Sequence, residues 1–295
     1  MGIPPIEGAE EMIELGENRY GKSRVRLVRV KRDPERHHLR EWTLQVLLEG
    51  DYDSYFRDGD NSKILPTDTM KNTVYWLARK SQAACMEDFA KELIDFLLAR
   101  NPQVLSAEIK SWEKIWDRVL IGGKPHPTAF VQSSAERATT RVQRTQNSGF
   151  SIVSGLENLI MMKTAGSGFE GYIQDSLTTL EPTRDRLLGT CLSATWEYAA
   201  QEADFDRLRG KLRALLVEAF ACHDSKSVQH TLYAMGERVL NEVGEVQGIE
   251  LTMPNIHCLL VDLSRFGEDN PNEVFMPIDE PHGYIQARLQ RQGTR

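Results

Sequence analysis

Long apolar runs are missing from this sequence; none reaches the roughly 20 residues that a membrane helix needs. Cysteine is scarce as well. The four present, Cys85, Cys191, Cys222 and Cys258, never form a C-x-x-C spacing. That argues against a zinc site or a disulfide framework, and it fits a reducing compartment. There is no basic excess: 36 Lys and Arg against 43 Asp and Glu give a net charge of −7. A protein that neutralises nucleic-acid phosphates needs a basic face, so nucleic-acid binding is not expected. The seven histidines contain no H-x-H or H-x-x-x-H pair, and no Gly-rich dinucleotide fingerprint opens a helix. Neither a metal nor an organic cofactor is expected. The first twenty residues are acidic and carry Pro4-Pro5, unlike a signal peptide.

What is present is a series of alternating and helical patterns that runs through the chain twice. With 295 residues there is enough for one large core or two medium ones. Strands are predicted over 24–31 and 39–49, the second because Trp42, Leu44, Val46 and Leu48 alternate with polar residues. The basic run from Arg24 to Arg32 alternates with Val25, Leu27, Val28 and Val30 and reads as one solvated side of the first strand. Helices follow over 68–80 and 86–100, the latter stopped by Asn101-Pro102. Two more strands are expected near 103–120 and 128–144, joined by the turn Gly122 to Pro127. Around Asn147-Ser148-Gly149 the pattern restarts: strands 150–163 and 186–198, helices 203–221 and 226–243, strands 250–263 and 283–291. The expected organisation is a short N-terminal extension (1–15) followed by two units, 16–146 and 147–295. His37-His38 and His126 are expected in turns, and His223, His230 and His282 in isolation.

Three separated segments carry more specific information. In Leu65-Pro66-Thr67-Asp68-Thr69-Met70 a Thr-Asp pair stands where an apolar run gives way to helical spacing, a pattern that also suits a plain N-cap. Upstream is Asn18-Arg19-Tyr20-Gly21-Lys22; far downstream is Leu251-Thr252-Met253-Pro254-Asn255-Ile256-His257. With the late stretch Phe266 to Phe275, these resemble the urate oxidase (uricase) family, and the resemblance extends from Gly16 to Gln292. It implies an α+β tunnelling fold: two tandem ββααββ units with an antiparallel sheet and helices on one face, oligomerising edge to edge into a barrel. It further implies a cofactor-free oxidation of urate by molecular oxygen, in a homotetramer whose active sites lie at subunit interfaces. The pterin-forming branches of that fold use a histidine zinc site, which this sequence lacks. The chain ends Gln292-Gly293-Thr294-Arg295, without the Ser-Lys-Leu address of peroxisomal members, so cytoplasm is expected.

Urate is flat, anionic and polar at every edge, so its site needs a stacking surface, planar hydrogen-bond partners and positive charge. The resemblance implies Phe169, at the end of the Gly-rich Lys163–Phe169 segment, as the stacking ring. It implies Arg186 as a bidentate partner; the guanidinium fork suits such pairing where Lys does not. A surface pair with Asp185 is the other reading of Arg186. Asp224-Ser225-Lys226-Ser227-Val228-Gln229 opens a helix, with Asp224 or Ser225 expected as N-cap. The free N–H groups of its first turn form a ready anion site. Here the resemblance assigns the Val228 N–H and the Gln229 amide to urate. Thr67, Asp68 and Asn255 are implied substrate contacts, with oxygen over the ring opposite Thr67 and Asn255. Lys22, Thr67 and His257 are the implied catalytic proton relay: ammonium, hydroxyl and imidazole in series. Asn255 and His257 are two residues apart and so share one side of their strand. Two other readings fit the same motifs: a tunnelling-fold enzyme for another purine or pterin, and a silent purine-binding relative.

Overall fold

A computed structural model describes residues 13–278 and 280–293; most of the expected extension 1–15 lies outside the described residues. Strands β1 (Tyr20–Arg32) and β2 (His37–Gly50) form a hairpin, followed by helices α1 (Asp53–Asp58), α2 (Thr67–Lys80) and α3 (Met86–Arg100). Strands β3 (Val104–Lys114), β4 (Asp117–Ile121), β5 (Lys124–Val131) and β6 (Arg137–Thr145) complete the first half. The second half comprises β7 (Ser151–Lys163), β8 (Leu188–Tyr198), α4 (Phe205–Cys222), α5 (Val228–Glu242), β9 (Val246–Thr252), β10 (Asn255–Leu260), β11 (Phe275–Ile278) and β12 (Gln286–Gln290).

The main sheet is antiparallel and runs β1-β2-β3-β6-β7-β8. Along its outer edge β8 pairs with both β9 and β10, and β12 and β11 lie beyond them. The order strand, strand, helix, helix, strand, strand thus occurs twice in one sheet, as the α+β reading expected. The outer edges of β1 and of β11 and β12 have no strand partner among the described residues.

Alternation explains why the helices cover one face. In β2, Trp42, Leu44, Val46 and Leu48 are fully buried against Met70 and Val74 of α2 and Phe89, Leu93, Ile94 and Leu97 of α3. The rings of Trp42 and Phe89 pack in a tilted arrangement, with centroids 5.3 Å apart. The second half repeats the device: Leu192, Ala194 and Trp196 of β8 are buried with Leu208, Leu212 and Leu216 of α4 and Leu232, Met235 and Val239 of α5. Each such side chain stabilises the fold by about 1.5–3 kcal/mol when removed from water. The alternate residues face away from the helices, and many across the sheet are polar or charged. Among them are the pairs Arg26–Glu41, Arg137–Glu157 and Arg141–Glu108 across neighbouring strands, and Arg288–Glu197, which reaches from β12 across β9 to β8.

Some boundaries differ from the sequence reading. The turn at Gly122-Gly123 does not join two sheet strands; it closes a separate two-stranded ribbon, β4-β5. His37 and His38 open β2, and the hairpin turn is Asp33 to Arg36. Met253-Pro254 interrupts the strand expected over 250–263, since Pro has no N–H for the ladder. Helix α1 and strand β11 went unpredicted. Both are short, and α1 buries no residue that would have set a periodicity.

Candidate active site

The first group of site residues gathers where β1 meets α2. Tyr20 ties the two together: its hydroxyl accepts from the Leu65 N–H at 2.9 Å and donates to the Leu65 carbonyl at 3.2 Å. Next to it, Gly21 packs so closely on β2 that a Cβ would lie 1.8 Å from the Val46 carbonyl oxygen. Only Gly fits there. A bulge between Lys22 and Val25, with Arg24 at φ +58, then re-aims the strand as bulges do beside functional sites. Lys22 reaches the field of Asp68: Lys71, then Asn72 and Lys22, hold the Asp68 carboxyl below the usual range. Asp68 accepts from Lys71 Nζ at 2.5 Å and Asn72 Nδ2 at 2.9 Å. Thr67 and Asp68 do not act as caps. Pro66 takes the cap position with no side-chain bond, leaving the half-buried Thr67 at the first helical position.

A second group is drawn together by short backbone bridges. The Gly168 N–H donates to the Ser225 carbonyl at 2.8 Å, and the Ser225 N–H to Gly166 at 3.0 Å. Phe169 exchanges two backbone bonds with Thr183, at 2.7 and 3.0 Å, and the Arg186 N–H donates to Ser167 at 2.7 Å. The loop after β7, the entry to β8 and the start of α5 therefore converge, bringing Phe169, Arg186, Val228 and Gln229 to one end of the fold. Arg186 places its guanidinium over the Phe169 ring, 5.1 Å from the centroid. It does not pair with Asp185, which accepts instead from the Ser167 N–H at 3.2 Å. Burial pulls the Arg186 pKa below the ordinary arginine value, yet an arginine stays cationic at neutral pH.

The cap of α5 is Ser227, not Asp224 or Ser225, and its hydroxyl accepts from the His230 N–H at 3.1 Å. The Ser225 hydroxyl is occupied elsewhere, donating to the Ser227 carbonyl at 3.0 Å and accepting from Thr231 Oγ1 at 2.8 Å. Val228 is buried and Gln229 exposed at the first turn, where N–H groups have no intrahelical acceptor.

The third group lies at the break between β9 and β10. Thr190 Oγ1 donates to the Pro254 carbonyl at 2.9 Å and the Asn255 N–H to Gly283 at 2.9 Å, fixing the kink. Asn255 Oδ1 is buried without a hydrogen-bond partner. A cleft of about 370 Å³ is lined by Arg186, Thr183, Leu180, Asn255 and His257, so Arg186 of the second group shares one cavity with the third group. The first group does not join them. From β1 to β8 and β10 the sheet takes five and six inter-strand steps, roughly 25–30 Å at the usual strand spacing.

Two features escaped the sequence reading. His223 and His230 are not isolated: their Nε2 and Nδ1 atoms are 3.2 Å apart at the start of α5. Burial, His230 and Lys163 push the His223 pKa down. Tyr172 stacks on Phe169. The three-residue spacing across Gly171 was the available signal. The string Gly166 to Gly171 spells the G-x-G-x-x-G order, but it enters a loop and presents no helix N-terminus for a pyrophosphate. Among the described residues no helix is long and apolar enough to cross a membrane, and no three His, Cys, Asp or Glu side chains gather as metal ligands.

Comparison with known proteins accords with this geometry. The Uricase family profile matches residues 18–143 and 152–286. The uricase of Arthrobacter globiformis is 40% identical over 283 residues, covering 96% of this chain and 92% of that protein. The uricase of Dictyostelium discoideum is 34% identical, covering 96% of this chain and all of the relative. The crystal structure of the Arthrobacter globiformis uricase superposes with a TM-score of 0.91, covering 96% of each chain. Matched in sequence and fold almost end to end, this chain belongs to the uricase, or urate oxidase, family.

Proposed function

We propose that this urate oxidase converts urate, oxygen and water to 5-hydroxyisourate and hydrogen peroxide without metal or organic cofactor, at sites each built from two chains. The observation that carries the reading is the unpaired Arg186 guanidinium lying over Phe169, in one cleft with the unsatisfied Asn255 Oδ1. A flat anion completes such a set: its face meets Phe169, and its carbonyl and ring nitrogen meet Arg186. The Val228 N–H and the Gln229 amide take the opposite edge, the amide supplying both a donor and an acceptor.

In this reading Lys22, Thr67 and His257 form the proton relay, and Thr67, Asp68 and Asn255 border the oxygen side. Deprotonated urate is electron-rich enough to pass an electron to oxygen directly. Recombination at C5 gives a hydroperoxide, and water activated by the relay displaces hydrogen peroxide. The chain's contribution is position and charge. Sheet order supports sharing between chains, because Lys22, Thr67 and Asp68 lie at the opposite sheet edge from Asn255 and His257. Open edges on β1 and on β11 and β12 would pair with those of neighbouring copies, closing a barrel and removing the hazard of free edges. We read the assembly as a homotetramer of chains with units 16–146 and 147–295, acting in cytoplasmic purine breakdown.

The test is to follow the ultraviolet absorbance of urate in oxygenated buffer with chelator-treated protein. Undiminished loss of absorbance with peroxide formation is expected. Turnover that vanishes with chelation and returns with added metal would overturn the cofactor-free reading.

A further inference from the structure

We propose that Tyr172 is a positioning residue for the substrate: it backs one face of Phe169 and holds that ring flat for stacking on the other. The inference rests on the reading of Phe169 as the stacking residue. The rings of Phe169 and Tyr172 are nearly parallel, with centroids 4.8 Å apart and an interplanar angle of 12°. An aromatic ring has two faces. Tyr172 takes one, and with the Arg186 guanidinium 5.1 Å from the ring centroid a planar purine would take the other with its edge toward Arg186.

The loop is built to make this contact. Gly171 lies between the two aromatics at φ +75, a conformation that L side chains avoid, and it turns the chain back so that the rings meet. A Cβ at Gly171 would touch nothing within 4 Å, so the requirement there is purely one of backbone conformation. Two anchors then clamp the loop. Phe169 is fixed through its paired backbone bonds to Thr183, and the Tyr172 hydroxyl donates to the Leu180 carbonyl at 2.5 Å. Leu180 and Thr183 both line the cleft that holds Arg186, so the clamp ends at the cavity wall. Most of the intervening loop is exposed, with Ile173 93% and Leu177 86% accessible, so no core packing orders it. Without Tyr172, Phe169 would have to be ordered by the ligand itself, and binding would carry that cost.

The test uses the assembled full-length enzyme, measuring Kd for a non-reactive xanthine analogue together with KM and kcat for urate. Tyr172→Phe keeps the stack and loses only the hydroxyl anchor, and should bind within about twofold of wild type. Tyr172→Leu should weaken analogue binding and raise KM by about two- to tenfold, the range of an aromatic pair, with kcat changed less. Gly171→Ala, which leaves both rings in place but strains the turn, should shift Kd in the same direction. Phe169→Leu serves as the reference. If it weakens binding while Tyr172→Leu binds as well as wild type or better, the backing role is overturned. If Phe169→Leu itself changes nothing, the stacking assignment of Phe169 fails and the proposal falls with it.

Discussion

The guanidinium of Arg186 lies 5.1 Å over the ring of Phe169 and answers to no carboxylate: its Nε is buried without a partner, and burial is the sole cause of its lowered pKa. Buried polar groups are normally hydrogen-bonded, and an orphaned charged donor costs free energy until something accepts from it. Its neighbour Asp185 could have served but is turned to the Ser167 N–H. The arrangement keeps a planar cation available beside an aromatic face, where an anionic purine would satisfy both.

Arg186→Ala should therefore weaken binding of a non-reactive xanthine analogue by about one to two orders of magnitude, since charged hydrogen bonds contribute about 1.5–3 kcal/mol. Arg186→Lys should also lose affinity, because an ammonium cannot present two parallel donors. Equilibrium titration of the analogue checks both. Unchanged affinity in Arg186→Ala would place the ligand elsewhere.

Gln229 offers a complementary check at the start of α5. Replacing it with Glu sets a carboxylate against an anion, so Gln229→Glu should bind the analogue more weakly than Gln229→Ala. The reverse order would remove Gln229 from the ligand's edge.

Lys22, Thr67 and His257 should behave as one unit. Lys22→Met, Thr67→Ala and the double variant should lose similar amounts of turnover, because groups in a single relay are strongly non-additive. Analogue affinity should change far less than rate. Losses that multiply in the double variant would mean that the groups act separately.

Much of this was legible in the sequence because the physics is local. The alternation of Trp42 to Leu48 and the helical spacing of Met70, Val74 and Ala78 each mark one buried face, and the structure buries those residues. The cap of α5 was misjudged because three candidate oxygens, on Asp224, Ser225 and Ser227, stand within four residues. Their side-chain contacts decide among them: the Ser225 hydroxyl is taken by the Ser227 carbonyl and Thr231, and Asp224 by Lys226. The His223–His230 contact depends on the angle between α4 and α5, which neither helix encodes alone. The Phe169–Tyr172 stack needed the left-handed turn at Gly171, whose φ cannot be read from composition.

A further prediction concerns the seam between the two halves. Glu87 of α3 is fully buried and accepts from Arg209 of α4 and from Ser154 Oγ at 2.5 Å, while Arg209 also pairs with Asp206 at 3.0 Å. Removing one partner leaves a buried charge without its mate, so Arg209→Ala should cost about 3–5 kcal/mol of stability. Replacing both, with Arg209→Met and Glu87→Leu, should cost much less than the single change. Denaturant unfolding of the three proteins measures this, and equal losses in single and double variants would contradict it.

The most direct test of the shared-site account is complementation between chains. Thr67→Ala and Arg186→Ala chains should each be nearly inactive alone. In an isolated mixed pair, two-fold symmetry gives one site both lesions and the other none. Co-expressed and purified hetero-oligomers should recover a substantial fraction of wild-type urate turnover, whereas the two variants mixed without subunit exchange should not. Hetero-oligomers that stay inactive would mean that each site is built within one chain.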